Sequence, residues 1–146
     1  MKLINFIICD DVRTEINNKV SLIGIYNDLL NFIVPEKAAN TWPKGLRLGI
    51  FIRFDFEDAD EQNKIGKLVL ESTINGEINF HAEQIADSNG QETLKRMVIS
   101  AVFNHISIPS AGDMVFSLSV YDKNNELMAK FNYPGNMKIT EIISPL

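Results

Sequence analysis

The sequence predicts an all-β protein, an antiparallel β-sandwich of eight or nine strands. Short apolar or alternating segments are bounded by turn residues, and these turn signals recur about every ten residues. Almost no segment sustains the period of an amphipathic helix. A closed or partly open β-barrel stays open as the alternative, because strand patterns alone do not show whether the sheet edges meet.

The first 26 residues predict a hairpin. Residues 3–9 are apolar at six of seven positions, which favours a strand that is covered on both faces. Asp10 and Asp11 follow directly, and we expect them at a rim because an unpaired carboxylate inside the core is costly. Asn17-Asn18 predicts a tight turn with both residues at positive φ, after which the chain returns as residues 19–27.

Residues 28–45 lack a clear period and predict the longest connection, a passage from one sheet to the other. Pro35 favours the start of one short helix, and Trp42 is expected to fold beneath the connection as an anchor. Residues 46–56 then alternate without a break. The even positions are predicted to face the core, while Arg47, Arg53 and Asp55 surround an exposed Phe51 on the other side.

Two later hairpins can be predicted down to their loops. At Asn75-Gly76 a bulged three-residue loop would set Leu70 opposite Phe80, whereas a two-residue turn would set it opposite a histidine. At Asn124-Asn125 a two-residue turn already matches the faces, with Leu118 opposite Phe131. Residues 87–90 predict a further loop, residues 94–108 a long strand, and residues 137–143 the closing strand.

Length and composition indicate one globular domain over residues 1–146. A hydrophobic fraction of 45% with 23% charged residues is ordinary for a globular protein, and no segment suggests an integral membrane protein. The net charge of −5, without a basic patch, argues against nucleic-acid binding. Cys9 is the single cysteine, which excludes an intramolecular disulfide and favours a buried thiol in the cytoplasm.

The opening also carries a family resemblance. Cys9-Asp10-Asp11-Val12-Arg13, followed by Lys19, Ser21-Leu22-Ile23-Gly24 and Tyr26, resembles the opening of a family of short, uncharacterised bacterial proteins catalogued as a domain of unknown function. The segment from Gly112 through Phe116-Ser117-Leu118 to Leu127 and Phe131 is similar to that family's closing hairpin. The resemblance implies a single-domain bacterial protein with an all-β fold, and it assigns no site residues.

The acidic loop 55–63 is the densest group of oxygen ligands in the chain. Calcium prefers six to eight such oxygens, so Asp55, Glu57, Asp58 and Asp60 form a candidate calcium site, especially if Asp10-Asp11 or Asp87 lies at the same rim. The spacing is not that of an EF-hand, because neither the glycine nor the closing glutamate of that loop is present. The alternative is an acidic loop that is simply solvated.

His81 and His105 are the only histidines, and each lies in a predicted strand. If they met in space with a carboxylate, they would form a zinc or iron site, and thus the centre of a metal-dependent hydrolase. The alternative is that both are surface or structural residues. The sequence contains no nucleophile motif and no phosphate-binding glycine loop, so it argues against an enzyme.

Three functions therefore stay open. The leading hypothesis is a non-catalytic cytoplasmic sandwich that binds a protein partner or itself, using an edge strand or an apolar patch with Phe51, Phe103 or Tyr133. The second is a calcium-dependent module that binds a ligand or a membrane surface through the acidic loop. The third is the hydrolase centred on the histidines.

Overall fold

The computed structural model describes residues 1–86 and 95–145. Within these ranges the chain forms ten strands, one short helix α1 (Glu61–Lys64) and two 3-10 turns (Ile16–Asn18 and Glu36–Ala38). The strands are β1 (Lys2–Thr14), β2 (Val20–Ile25), β3 (Leu29–Pro35), β4 (Lys44–Asp55), β5 (Ile65–Ile74), β6 (Glu77–Ile85), β7 (Arg96–Ile108), β8 (Gly112–Asp122), β9 (Leu127–Asn132) and β10 (Met137–Ser144). The predicted all-β class is confirmed.

The strands form two sheets. The first sheet has the order β2-β1-β4-β7, and the second has the order β3-β10-β8-β5-β6, with β9 also paired to β8. Neighbouring strands are antiparallel except β3 and β10, which are parallel. The predicted loop at residues 87–90, and the start of the strand predicted at residue 94, lie outside the described residues.

The predicted count of eight or nine strands is too low, because β3 lies within the predicted connection 28–45. Leu30 and Val34 on this strand are buried, but its backbone partner is β10, more than a hundred residues further along the chain. A parallel pairing of this kind leaves no turn signal near either strand. The predicted short helix is a 3-10 turn that follows β3.

The core lies between the two sheets. Ile50, Ile52 and Phe54 of β4 are fully buried, which confirms the predicted inner face of this strand. Opposite them the second sheet contributes Phe116 and Leu118 of β8, together with other large apolar side chains. Each such side chain stabilises the fold by about 1.5–3 kcal/mol when it is fully removed from water.

The end of β1 leaves β4 and continues with β2 alone. Its ladder with β4 ends at Cys9 opposite Gly49, and residues 11–14 pair only with β2. A Cβ atom on Gly49 would lie 2.9 Å from Cys9 Sγ, so glycine is needed for this close approach. Asn17 and Asn18 both have positive φ at the tip of the hairpin, as predicted.

Arg47 holds this departing chain against β4. It donates hydrogen bonds to the Asp10 carbonyl oxygen and to the Asp11 carboxylate, each at 2.9 Å. Tyr26 of the returning chain donates to the Asp10 carboxylate at 2.5 Å. Cys9 is fully buried, and this burial raises the pKa of its thiol. Cys9, Asp10, Asp11 and Tyr26, which belong to the segment with the family resemblance, therefore have a structural role where β1 leaves β4.

The two predicted hairpin loops are each wrong by one residue, in opposite directions. Asn75-Gly76 forms a two-residue turn with Ile74 opposite Glu77, and the extra residue is Asn79, a bulge in β6. The Asn79 amide accepts a hydrogen bond from Ser72 and donates one to the Ser107 carbonyl oxygen. These two bonds satisfy the polar side chain at its inward-facing position.

The last hairpin has a three-residue loop. The Asp122 N–H donates to the Glu126 carbonyl oxygen across it, and Asn125 takes positive φ. A shift in β9 then restores the predicted pairing of Leu118 with Phe131. Thus the predicted faces of this hairpin are confirmed although its loop is not.

Candidate functional site

The acidic loop has partners within the protein. Arg96 donates two hydrogen bonds to the Asp55 carboxylate, at 2.5 and 2.9 Å, and thereby lowers the pKa of Asp55. Glu57 lies 3.3 Å from the amino group of Met1. Asp58 accepts a hydrogen bond from the backbone N–H of Asp60 at 3.1 Å. The carboxylates of Asp55, Glu57 and Asp58 thus each have a different partner within the protein.

Among residues 1–86 and 95–145, no group of three or more His, Cys, Asp or Glu residues is arranged to hold a metal ion. Asp87, the further residue considered for the calcium site, lies outside the described residues. The calcium hypothesis stays a prediction.

The two histidines lie on different sheets. His81 on β6 has its Nδ1 atom 2.9 Å from Glu71 and its Nε2 atom 3.0 Å from Glu83, and these hydrogen bonds raise the pKa of His81. His105 on β7 lies over Gly45 of β4. Both ring nitrogens of His81 already have carboxylate partners, so a metal ion at this ring would have to displace one of them.

No sequence pattern predicts the largely buried ion pair between Lys44 and Glu141. The Lys44 ammonium lies 2.7 Å from the Glu141 carboxylate, and each side chain is only 11% exposed. The backbone N–H of Asn40 donates to the same carboxylate at 2.8 Å, and the hydrogen bonds from Lys44 and Asn40 lower the pKa of Glu141. Trp42 packs edge-to-face on Phe32, which confirms its predicted role as an anchor. This cluster fastens the segment before β4 to β10.

The boundary between β6 and β7, which we call the seam, is the place where the two sheets come together without a shared ladder. Each strand is hydrogen-bonded to one neighbour in the described structure, β6 to β5 and β7 to β4. At one end the seam is closed by Phe80 and Phe103, whose ring centroids are 4.7 Å apart. The hydrogen bond from Asn79 to Ser107, at 3.1 Å, closes the same end.

Beyond Phe103 an apolar cavity of about 170 Å³ lies between the two sheets, and we call it the seam cavity. Its lining comes from both sheets: Ile50, Leu68, Leu70, Ala82, Glu83, Gln84, Ile99, Ala101, Phe103 and Leu118. Ala82 on β6 and Ala101 on β7 are the small members of this lining. Where Phe80 and Phe103 fill the space between the sheets, these two methyl groups leave it empty.

A wider cleft of about 480 Å³ adjoins the seam cavity. Both are lined by Leu68, Gln84, Ile99 and Ala101. Two large apolar side chains at the mouth of this cleft are exposed, Ile85 by 81% and Val98 by 49%. Among the described residues, the cleft and the seam cavity thus have a shared apolar lining that runs from these exposed side chains to buried ones such as Leu68. Phe103 is one of the residues that the sequence predicts for an apolar patch, but the alanines that create the space have no distinctive sequence pattern.

Comparison with known proteins adds no assignment. No family model matches this chain, and no curated protein is similar to it. The resemblance to the uncharacterised bacterial family stays a prediction. In the described part of the chain, no helix has the length and apolar character needed to cross a membrane.

Proposed function

We propose that this protein is a non-catalytic binding module whose seam takes up an extended segment of a partner protein. The observation that carries the proposal is the apolar seam cavity, which lies open between two strands whose outer edges lack a ladder partner among the described residues. In such a position a bound segment both fills the cavity and completes the sheets.

The two edges favour a polypeptide over a small apolar molecule. A small molecule would use the cavity alone and leave the backbone groups of β6 and β7 to water. An extended segment can pair with an edge strand, and every second side chain then points to the same face. One bulky apolar side chain of that segment would enter between Ala82 and Ala101.

The location is part of the proposal. We infer a cytoplasmic protein, supported by the single, fully buried Cys9, which has no second cysteine to pair with. A second copy of this chain is another possible source of the segment, and the test below distinguishes it from a different protein.

The experiment is selection of random linear peptides displayed on phage against the full-length protein. The test variant is Ala101→Leu, which fills the seam cavity. Its matched control is Ala59→Leu, which makes the same change at an exposed position in the acidic loop. We expect enriched peptides with alternating apolar residues that bind the wild type and Ala59→Leu equally, and that bind Ala101→Leu at least about tenfold more weakly.

Hydrogen exchange then locates the peptide. Its binding should slow exchange of backbone amides on β6 or β7, because edge N–H groups gain a partner. Peptides that bind Ala101→Leu as well as the wild type would contradict the proposal. Sedimentation of a dimer that Ala101→Leu dissociates would instead identify the segment as part of a second copy.

A further inference from the structure

Arg53 differs from the other arginines of the chain. Three of the four arginines donate hydrogen bonds to a carboxylate: Arg13 and Arg47 to Asp11, and Arg96 to Asp55. In the described structure Arg53 donates no hydrogen bond to a carboxylate, its charge acts on Asp55 only at a distance, and its buried Nε atom makes no hydrogen bond. A buried N–H group without an acceptor is rare in native proteins, and it leaves Arg53 less fully hydrogen-bonded than the other three arginines.

The surroundings of Arg53 form a small mixed surface on the outer face of the first sheet. Asn5 of β1 and Val98 of β7 are its register partners on the two sides. Phe51 lies two residues away on the same face of β4, half-buried and outside the core cluster. Arg53 is therefore a fixed cation beside apolar side chains, on strands rather than on a loop.

The local charge favours an anion at this position. Asp55 is the nearest acid along the strand, but both of its oxygens accept hydrogen bonds from Arg96. Lys2 is the register partner of Asp55 on the other side. This face thus carries Lys2, Arg53 and Arg96 against Asp55, within a chain whose net charge is −5.

We propose that the outer face of the first sheet is a second docking surface, at which Arg53 binds a carboxylate of a partner protein and Phe51 packs against that partner's apolar residues. The planar guanidinium matches the two oxygens of a carboxylate. A nucleic acid would need several cations spread along its backbone, and here Asp55 lies among the three that are present. Val98, the register partner of Arg53, also lines the cleft beside the seam. Arg53 and the cavity-lining residue Ile50 nevertheless lie on opposite faces of β4, so that Ala101→Leu distinguishes the two sites.

The test is selection of random peptides on the wild type, with removal of peptides that also bind Arg53→Gln. The control variant is Arg13→Gln, which makes the same charge change at an arginine that already has a carboxylate partner. We expect the remaining peptides to contain an Asp, a Glu or a free carboxyl terminus beside apolar residues. They should bind Arg53→Gln at least about tenfold more weakly than the wild type or Arg13→Gln, and should bind Ala101→Leu normally.

Arg53→Lys keeps the charge but removes the planar guanidinium that binds both carboxylate oxygens. We expect this variant to bind the peptides more strongly than Arg53→Gln but more weakly than the wild type. The proposal is overturned if no peptide depends on Arg53, or if the Arg53-dependent peptides lack a carboxylate. A concentration-dependent dimer that Arg53→Gln dissociates would assign this face to a second copy and overturn the proposal of a different protein.

Discussion

Phe80 on β6 and Phe103 on β7 are in edge-to-face contact, with ring centroids 4.7 Å apart and an angle of 66° between the planes. These strands belong to different sheets and share no ladder in the described residues. The aromatic contact therefore joins the two sheets at one end of the seam, and the seam cavity begins next to it.

The first prediction concerns this contact. We expect Phe80→Leu and Phe103→Leu to be coupled by about 0.5–1.5 kcal/mol, the usual energy of an aromatic pair beyond its buried area. Urea unfolding of the wild type, both single variants and the double variant gives this coupling from a double-mutant cycle. Free energies that add to within about 0.3 kcal/mol would show that the rings do not hold the sheets together.

The second prediction concerns the empty space beside this contact. Ala101→Leu should raise the free energy of unfolding by about 0.5–2 kcal/mol, because the larger side chain fills a cavity that already has apolar walls. Ala59→Leu, at an exposed position, should leave it unchanged within about 0.5 kcal/mol. A destabilised Ala101→Leu variant would mean that the seam is too rigid or too narrow to accept the side chain.

The combination of greater stability and weaker peptide binding would be informative. A site kept open for a ligand is expected to cost stability in the free protein, since filling cavities is among the common ways to stabilise a natural fold. A void that only reflects imperfect packing would be filled without any loss of binding.

The third prediction concerns the bend of β1. Gly49→Ala should destabilise the protein by about 1–3 kcal/mol, because the new methyl group would meet Cys9 Sγ at 2.9 Å and the Asp11 backbone carbon at 3.1 Å. Cys9→Ala in the same chain should recover part of this loss by removing the sulfur. If the double variant is no more stable than Gly49→Ala, the clash lies instead with the Val12 side chain at 2.9 Å and with the Asp11 backbone.

The elements with local signals were predictable from the sequence. The inner face of β4 follows from strict alternation, and the Asn17-Asn18 turn follows from the tolerance of asparagine for positive φ. The predicted pairing of Leu118 with Phe131 is also confirmed. It follows from matching the apolar faces of two adjacent strands, which does not depend on the length of the loop.

The parts that the sequence did not reveal depend on distant residues. The β3 strand needs β10 as its partner, and the inward turn of Asn79 needs Ser107 of the opposite sheet as an acceptor. The seam cavity arises from two alanines about twenty residues apart, and only the fold brings them to the same place. Likewise, alternation predicts that Arg53 faces outward, but the absence of a hydrogen bond from its Nε atom depends on where the side chains of three different strands lie.

The fourth prediction concerns pH. The carboxylates of Glu71 and Glu83 raise the pKa of His81, so the folded protein binds this proton more tightly than the unfolded chain does. The resulting stability is complete below the ordinary histidine pKa of about 6.5 and is lost as the pH rises through the raised value. His81→Gln should therefore lower the free energy of unfolding more at about pH 6 than at about pH 9.

Chemical unfolding at the two pH values measures this difference. His105→Gln, which removes an imidazole on the other sheet, controls for the loss of an exposed ring. An effect of His81→Gln that is equal at both pH values would show that the two glutamates do not bind the protonated ring in solution.

The fifth prediction concerns the acidic loop. We expect excess calcium to leave the midpoint of thermal unfolding unchanged, because Arg96 holds both oxygens of Asp55, and one Asp58 oxygen accepts a hydrogen bond from the Asp60 backbone. Calcium that binds this loop, at a concentration of a hundred times its dissociation constant, would add about 2.7 kcal/mol to the free energy of unfolding. The midpoint of thermal unfolding would then rise by several degrees. A rise that is abolished by Asp58→Asn with Asp60→Asn would establish the calcium site, and the four carboxylates would then have to rearrange on binding. A rise that survives this double change would place the ion elsewhere in the chain.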